Sequence, residues 1–113
     1  MERFADASRC KELGNERIRA GQPAEALSCY LDGVGSLSLF ETSAPILSAN
    51  LRSKVDSLGA LLHSNAAQAA LSAGEWEAAV AHARAALAKD PGNKKARWRL
   101  ERAQEVGEGR GLV

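Results

Sequence analysis

The sequence contains few of the residues that build β-sheets. Aromatic residues make up 4% of the 113 residues, and Val and Ile together number only 7. Strands favour β-branched and aromatic side chains, so this composition argues against a sheet protein. Apolar residues still make up 45% of the chain, and 22 Ala and 14 Leu supply most of them. Because Ala and Leu are strong helix formers, the composition predicts an all-α fold.

Cysteine and long apolar runs are scarce too. The two cysteines, Cys10 and Cys29, do not make a disulfide scaffold, and we expect small buried thiols in a reducing cytosol. No apolar run approaches the roughly 18 residues that a bilayer span needs. The charged segment 1–6 lacks the apolar core of a signal peptide. We therefore expect a cytoplasmic protein with no membrane partner.

Neither sign of charge dominates the chain. Fifteen Lys and Arg residues against fourteen Asp and Glu give a net charge of +1, which does not suggest a general nucleic-acid binder. Residues 89–102 carry six Lys and Arg residues, but acidic residues interrupt them. Lys95, Arg99 and Arg102 follow a helical spacing, so we interpret this stretch as one helix face and expect no nucleic-acid partner.

Glycine and proline divide the chain into five predicted helices. Residues 21–23 (Gly-Gln-Pro) separate the first two, Gly74 ends the third, and residues 90–92 (Asp-Pro-Gly) follow the fourth. Residues 41–49 are predicted to form a linker, and the glycine-rich residues 107–113 a flexible tail. The helices are predicted over about residues 4–20, 23–40, 50–73, 75–89 and 94–106.

Small residues recur at matching positions in the first and second helix pairs. The members of the first pair are Gly14, Gly21, Ala26 and Gly33, and those of the second, each 53 residues later, are Ala67, Gly74, Ala79 and Ala86. Small side chains let antiparallel helices approach closely, so the pattern predicts a helical-hairpin repeat. Gly33 and Gly35 would otherwise weaken the second helix, and we expect close packing to require them.

This pattern resembles the tetratricopeptide repeat, whose period is about 34 residues. The resemblance implies a helical-hairpin α-solenoid with repeat one at about 7–40, an extended repeat two at about 50–93, and a capping helix at about 94–106. Two features depart from the family pattern. About 19 extra residues separate the repeats, which resembles the long helices of immunophilin-type members. The third unit stops after one helix, and Glu101 occupies a position where a hairpin needs a small residue.

In such domains the first helix of each hairpin lines a concave groove. The polar residues expected there are Lys11, Asn15, Asn65, Lys95 and Arg99. This set resembles the carboxylate clamp of tetratricopeptide co-chaperones, which holds the C-terminal Glu-Glu-Val-Asp of the seventy- and ninety-kilodalton heat-shock chaperones. The resemblance implies that Lys11, Asn15 and Asn65 hold the main-chain carboxylate, while Lys95 and Arg99 reach the side-chain carboxylate and the preceding acidic residues. Further groove contacts are expected from Ile18, Gln68 and Arg102.

The chemistry of these side chains fits an acidic peptide end. A C-terminal Asp carries two carboxylates, which accept hydrogen bonds and donate none. Asn and Lys supply donors, and Arg adds a planar fork that can bind one carboxylate through two bonds. Because a flexible tail must be ordered on binding, we expect a reversible affinity of about micromolar that weakens with salt.

A second hypothesis belongs to a different class. The chain could be a structural scaffold that binds an internal peptide or a helical protein, since two and a half repeats are fewer than the roughly three usual for stability. A partner helix or a second copy in a homodimer would then cover the last helix. Only the clamp needs a free C-terminal carboxylate. The sequence does not tell which chaperone class is preferred.

The remaining chemistry-bearing residues suggest no enzyme. His63 and His82 lie on different predicted helices without Cys or carboxylates at ligand spacing, so we expect no metal and no cofactor. Ser64 follows His63, but neighbours on a helix point apart and do not form a nucleophile–base pair. The aromatic residues Tyr30, Phe40 and Trp76 are interpreted as core.

Overall fold

A computed structural model of the protein describes residues 2–42 and 48–111. Every regular element within these two ranges is an α-helix, which confirms the predicted all-α fold class. The helices are α1 (Glu2–Arg19), α2 (Pro23–Thr42), α3 (Ala49–Ser72), α4 (Trp76–Lys89) and α5 (Lys94–Gly111).

The ends of the helices follow from local signals in the sequence. Gly21 and Gly74 have φ angles of 74° and 78°, in the left-handed region that glycine adopts easily after a helix. Ser48 caps α3 by accepting a hydrogen bond from a backbone N–H of the first turn at 3.1 Å. Asn93 caps α5 by accepting one from the N–H of Ala96 at 3.0 Å. These caps satisfy N–H groups that a helix start leaves without a partner.

The last helix is longer than predicted. It continues to Gly111, beyond the end expected at residue 106. A Cβ added to Gly107 would lie 3.8 Å from the Cβ of Trp76 on α4, so α5 still packs against α4 at this point. Tertiary packing of this kind supports helical residues whose intrinsic propensity is poor.

The predicted linker is shorter in the structure at both ends. Helix α2 extends to Thr42, and α3 begins at Ala49. Residues 43–47 of the predicted linker lie outside the described residues, and so do residues 112–113 of the predicted tail.

Each helix packs against the next one in the chain, and α3 also contacts α1 and α5. One buried cluster joins α1, α2 and α3 around Tyr30, Leu37 and Leu62. A second cluster joins α3, α4 and α5 through Ala70, Ala79 and Ala103. Alanine supplies most of the buried apolar positions, which lets the helix axes approach closely. Because α3 belongs to both clusters, it positions residues from all the other helices.

Two glycines of the first hairpin lie at close helix contacts. A Cβ added to Gly14 would lie 2.3 Å from the ring of Tyr30, and one added to Gly33 would lie 2.9 Å from Leu62 and 3.2 Å from the Cβ of Cys10. The expectation of close packing is therefore confirmed for Gly33. It is wrong for Gly35, since a Cβ there would meet nothing within 4 Å.

The two cysteines and the two histidines occupy matching sequence positions in the α1–α2 and α3–α4 helix pairs. His63 and His82 each lie 53 residues after Cys10 and Cys29, the same offset that relates the small residues. Both cysteines are free and partly buried. Burial, and then the charges of Asp32 and Cys29, raise the pKa of the Cys10 thiol, which keeps it protonated.

Candidate functional site

The two asparagines of the predicted clamp meet at the contact between α1 and α3. The Oδ1 atom of Asn15 lies 3.4 Å from Nδ2 of Asn65, so the structure brings together residues that are 50 positions apart. The same Oδ1 accepts a hydrogen bond from the Tyr30 hydroxyl at 2.6 Å. Tyr30 is 2% exposed, which confirms its assignment to the core. Its hydroxyl also orients a predicted site residue.

Arg99 extends this arrangement to α5. Its Nη1 atom donates hydrogen bonds to both the backbone oxygen and the Oγ of Ser64, each at 2.8 Å. Burial lowers the pKa of the Arg99 guanidinium, while the nearby Tyr30 opposes that shift. The side chain still carries its charge near neutral pH because the ordinary pKa of arginine lies far above neutral. Both bonds use Nη1, and a guanidinium carries further N–H donors on Nη2 and Nε.

Ser64 is a site residue that sequence reasoning missed. It immediately precedes Asn65 on α3 and is 2% exposed, whereas the sequence pattern indicates only that it neighbours His63. A buried serine in the middle of a helix needs a partner for its hydroxyl. A serine in the middle of a predicted apolar helix is therefore a signal for a polar contact. The sequence does not show that the partner is Arg99, 35 residues later.

The two predicted lysines lie at opposite ends of the candidate site. Lys95 is exposed and lines an open cavity of about 290 Å³ with Gln68, Lys94, Trp98 and Arg99. Lys11 is partly buried on α1, and its Nζ lies 3.4 Å from Oε1 of Glu12. The structure therefore brings Lys95 next to Arg99, whereas Lys11 is paired with an acidic residue of its own helix.

The three further groove contacts have different surroundings. Ile18 packs against the buried cluster of α1, α2 and α3, so much of its side chain serves the core. Gln68 lines the cavity beside Lys95 and donates to the Ser72 hydroxyl at 3.4 Å. Arg102 lies one turn after Trp98, and its Nη1 is 4.0 Å from Glu105 in an exposed ion pair.

An apolar cavity adjoins the cationic residues of α5. It measures about 240 Å³ and is lined by Gln68, Leu71, Ser72, Trp76, Trp98, Arg102 and Val106. Gln68 and Trp98 border both this cavity and the one beside Lys95. Trp98 is 57% exposed, and Trp76, which was predicted as core, is only partly buried. The Phe40 side chain lies outside those described.

These side chains form a row of donors across three helices. Asn15 on α1 contacts Asn65 on α3, Arg99 on α5 bonds to Ser64 beside Asn65, and Lys95 lines a cavity with Arg99. Such groups can bind carboxylates without competing negative charge. Among the residues that the structure covers, no three His, Cys, Asp or Glu side chains converge as metal ligands.

No protein-family model matches the chain, and no curated protein shows significant sequence similarity to it. Within the described ranges, no helix is both long and apolar enough to cross a membrane.

Proposed function

We propose that the protein is a tetratricopeptide-type α-solenoid, built from two helical hairpins and a C-terminal capping helix, that binds a C-terminal acidic peptide. In this proposal it is an adaptor or co-chaperone module without enzymatic activity, and its ligand is the Glu-Glu-Val-Asp end of a ninety- or seventy-kilodalton heat-shock chaperone. A cytoplasmic location belongs to the same proposal, since its two free thiols suit a reducing compartment.

The observation that carries this proposal is the row of Asn15, Asn65 and Arg99. Asn65 touches Asn15, and Arg99 is held by Ser64, the residue before Asn65. Tyr30, which bonds to Asn15, also lies close enough to Arg99 to affect its pKa, so these contacts gather donors from three helices in one neighbourhood. A terminal carboxylate and a neighbouring acidic side chain need several such donors close together. Lys95 adds an exposed charge at the α5 end. Lys11 would add one at the α1 end by leaving Glu12 and pairing with the peptide instead.

Calorimetry with a peptide ending in Glu-Glu-Val-Asp tests this proposal. We expect about micromolar binding of the free acid and no measurable binding of the peptide with an amidated C-terminus. Lys95→Ala should weaken binding about tenfold, whereas Lys54→Ala, an exposed lysine near the start of α3, should leave the affinity unchanged. No binding of the free acid would refute the clamp.

The scaffold hypothesis is the second candidate, and the exposed Trp98 favours it. A tryptophan that is 57% exposed beside an apolar cavity is typical of a protein–protein contact. A scaffold would bind the amidated peptide or an internal segment as well as the free acid. Equal affinity for the free-acid and the amidated peptide would therefore refute the clamp and support the scaffold function.

A further inference from the structure

His63 and His82 face each other across the second hairpin. Their Nδ1 atoms are 3.1 Å apart, and their ring centroids are 5.3 Å apart with an angle of 25° between the ring planes. The distance between the centroids exceeds the distance between the nitrogens by 2.2 Å. This difference is nearly the largest possible, which is twice the radius of an imidazole ring. The two nitrogens therefore point almost directly at each other, edge to edge, and the rings are not stacked face to face.

This geometry requires one proton between the two nitrogens. A neutral imidazole carries a proton on only one of its two nitrogens. A hydrogen bond between two Nδ1 atoms therefore needs one ring with Nδ1–H and the other with Nε2–H. The sequence pattern places these residues on separate helices and indicates no contact between them. Their spacing of 19 residues reveals a pair only once the rotation of α3 and α4 about their axes is known.

The immediate surroundings of the pair on its own helices are uniformly small and apolar. The residues three and four positions away are Gly59, Ala60, Ala66 and Ala67 on α3, and Ala78, Ala79, Ala85 and Ala86 on α4. Asp56 and Lys89 lie seven residues away on α3 and α4 and pair with each other at 4.0 Å. From α5, the charged Arg99 reaches Ser64, the residue that follows His63. Burial lowers the pKa of His82, since an apolar environment disfavours the charged ring.

We propose that the His63–His82 pair is a pH-sensitive contact that holds α3 against α4 while the pair carries at most one positive charge, and that separates when both rings are charged. The first added proton binds the outer Nε2 of the donor ring, so its Nδ1–H still points at the partner. The second proton must bind the acceptor's Nδ1. Two N–H groups and two charges then face each other, and the hydrogen bond is lost.

Separation of the two histidines would affect the candidate site through Ser64. This residue follows His63 on α3 and accepts both hydrogen bonds from Arg99. A displacement of this turn of α3 would therefore disturb the position of the guanidinium. The pH response itself does not depend on what the groove binds, so it stands or falls independently of the proposed function.

Nitrogen NMR of the imidazole rings in the full chain tests the proposal directly. At pH 7.5 we expect one ring protonated on Nδ1 and the other on Nε2. On acidification to pH 4.5, the pair should take up protons in two steps more than one pH unit apart, as coupled groups do. Two rings that are both protonated on Nε2 at pH 7.5 and titrate independently near the ordinary pKa would overturn it.

Two variants connect the titration to the helix contact. In His63→Asn/His82→Asn the carboxamides place a donor and an acceptor where the Nδ1 atoms were, without a titratable group. Wild-type protein should lose several degrees of melting temperature between pH 7.5 and pH 5, and the double variant should lose much less. Asp56→Asn controls for the nearby ion pair and should retain the two-step titration. An unchanged pH dependence of melting in the double variant would refute the role of the pair.

Discussion

The Tyr30 hydroxyl on α2 donates a hydrogen bond to Oδ1 of Asn15 on α1 at 2.6 Å, and this bond determines how the Asn15 amide is oriented. Because Oδ1 also faces Asn65, the donating Nδ2 of Asn15 must point the other way. The buried tyrosine thus fixes which side of the Asn15 amide accepts hydrogen bonds and which side donates them. It links the buried cluster of α1, α2 and α3 to the proposed carboxylate site.

The first prediction concerns Tyr30→Phe. This substitution removes the hydroxyl and leaves the ring in place, so the free energy of unfolding should fall by about 1 kcal/mol. Asn15 would then be free to flip its amide, and binding of the acidic peptide should weaken severalfold. Thermal unfolding and calorimetry measure the two effects. Unchanged peptide affinity in a destabilised variant would show that Tyr30 serves the core alone.

The second prediction compares two glycines of the first hairpin. Gly14→Ala places a Cβ 2.3 Å from the Tyr30 ring, and this overlap should destabilise the protein by about 1–3 kcal/mol despite the better helix propensity of alanine. Gly35→Ala is the matched control, because nothing lies within 4 Å of its added Cβ. It should stabilise the protein by up to about 1 kcal/mol. Chemical denaturation measures both, and effects of the same sign would contradict the packing described here.

The third prediction concerns the way Arg99 binds a carboxylate. Arg99→Lys keeps the charge but loses the planar fork, so we expect peptide affinity to fall about tenfold, which corresponds to about 1.4 kcal/mol. Ser64→Ala removes one acceptor and keeps the backbone oxygen that also holds Nη1, so its effect should be smaller.

Arg97→Ala is the control for this pair of variants. Arg97 is exposed on α5, and its Nη2 lies 3.5 Å from the backbone oxygen of Pro91. Its loss should leave peptide affinity within twofold of wild type at a fixed salt concentration. If Arg97→Ala weakens binding as much as Arg99→Lys does, general charge attraction rather than a defined site accounts for the affinity.

The sequence predicted those features that depend on neighbouring residues. The ends of α1 and α3 follow from Gly21 and Gly74 and were predicted correctly, because a left-handed glycine acts locally. Contacts between distant residues could not be predicted in the same way. The bonds from Arg99 to Ser64 and between His63 and His82 depend on how far each helix is rotated about its axis, and composition and spacing do not determine that rotation.

The last prediction uses the only two tryptophans of the chain, Trp76 and Trp98, which both line the apolar cavity beside Arg102. A peptide that binds the cationic residues and places an apolar side chain in this cavity should shift tryptophan emission to shorter wavelength. Trp98→Ala should weaken its binding about tenfold, because exposed aromatic side chains at the centre of an interface contribute much of the affinity. Leu31→Ala, an exposed residue on α2, is the control. An emission shift with the amidated peptide as large as with the free acid would assign the cavity to the scaffold function.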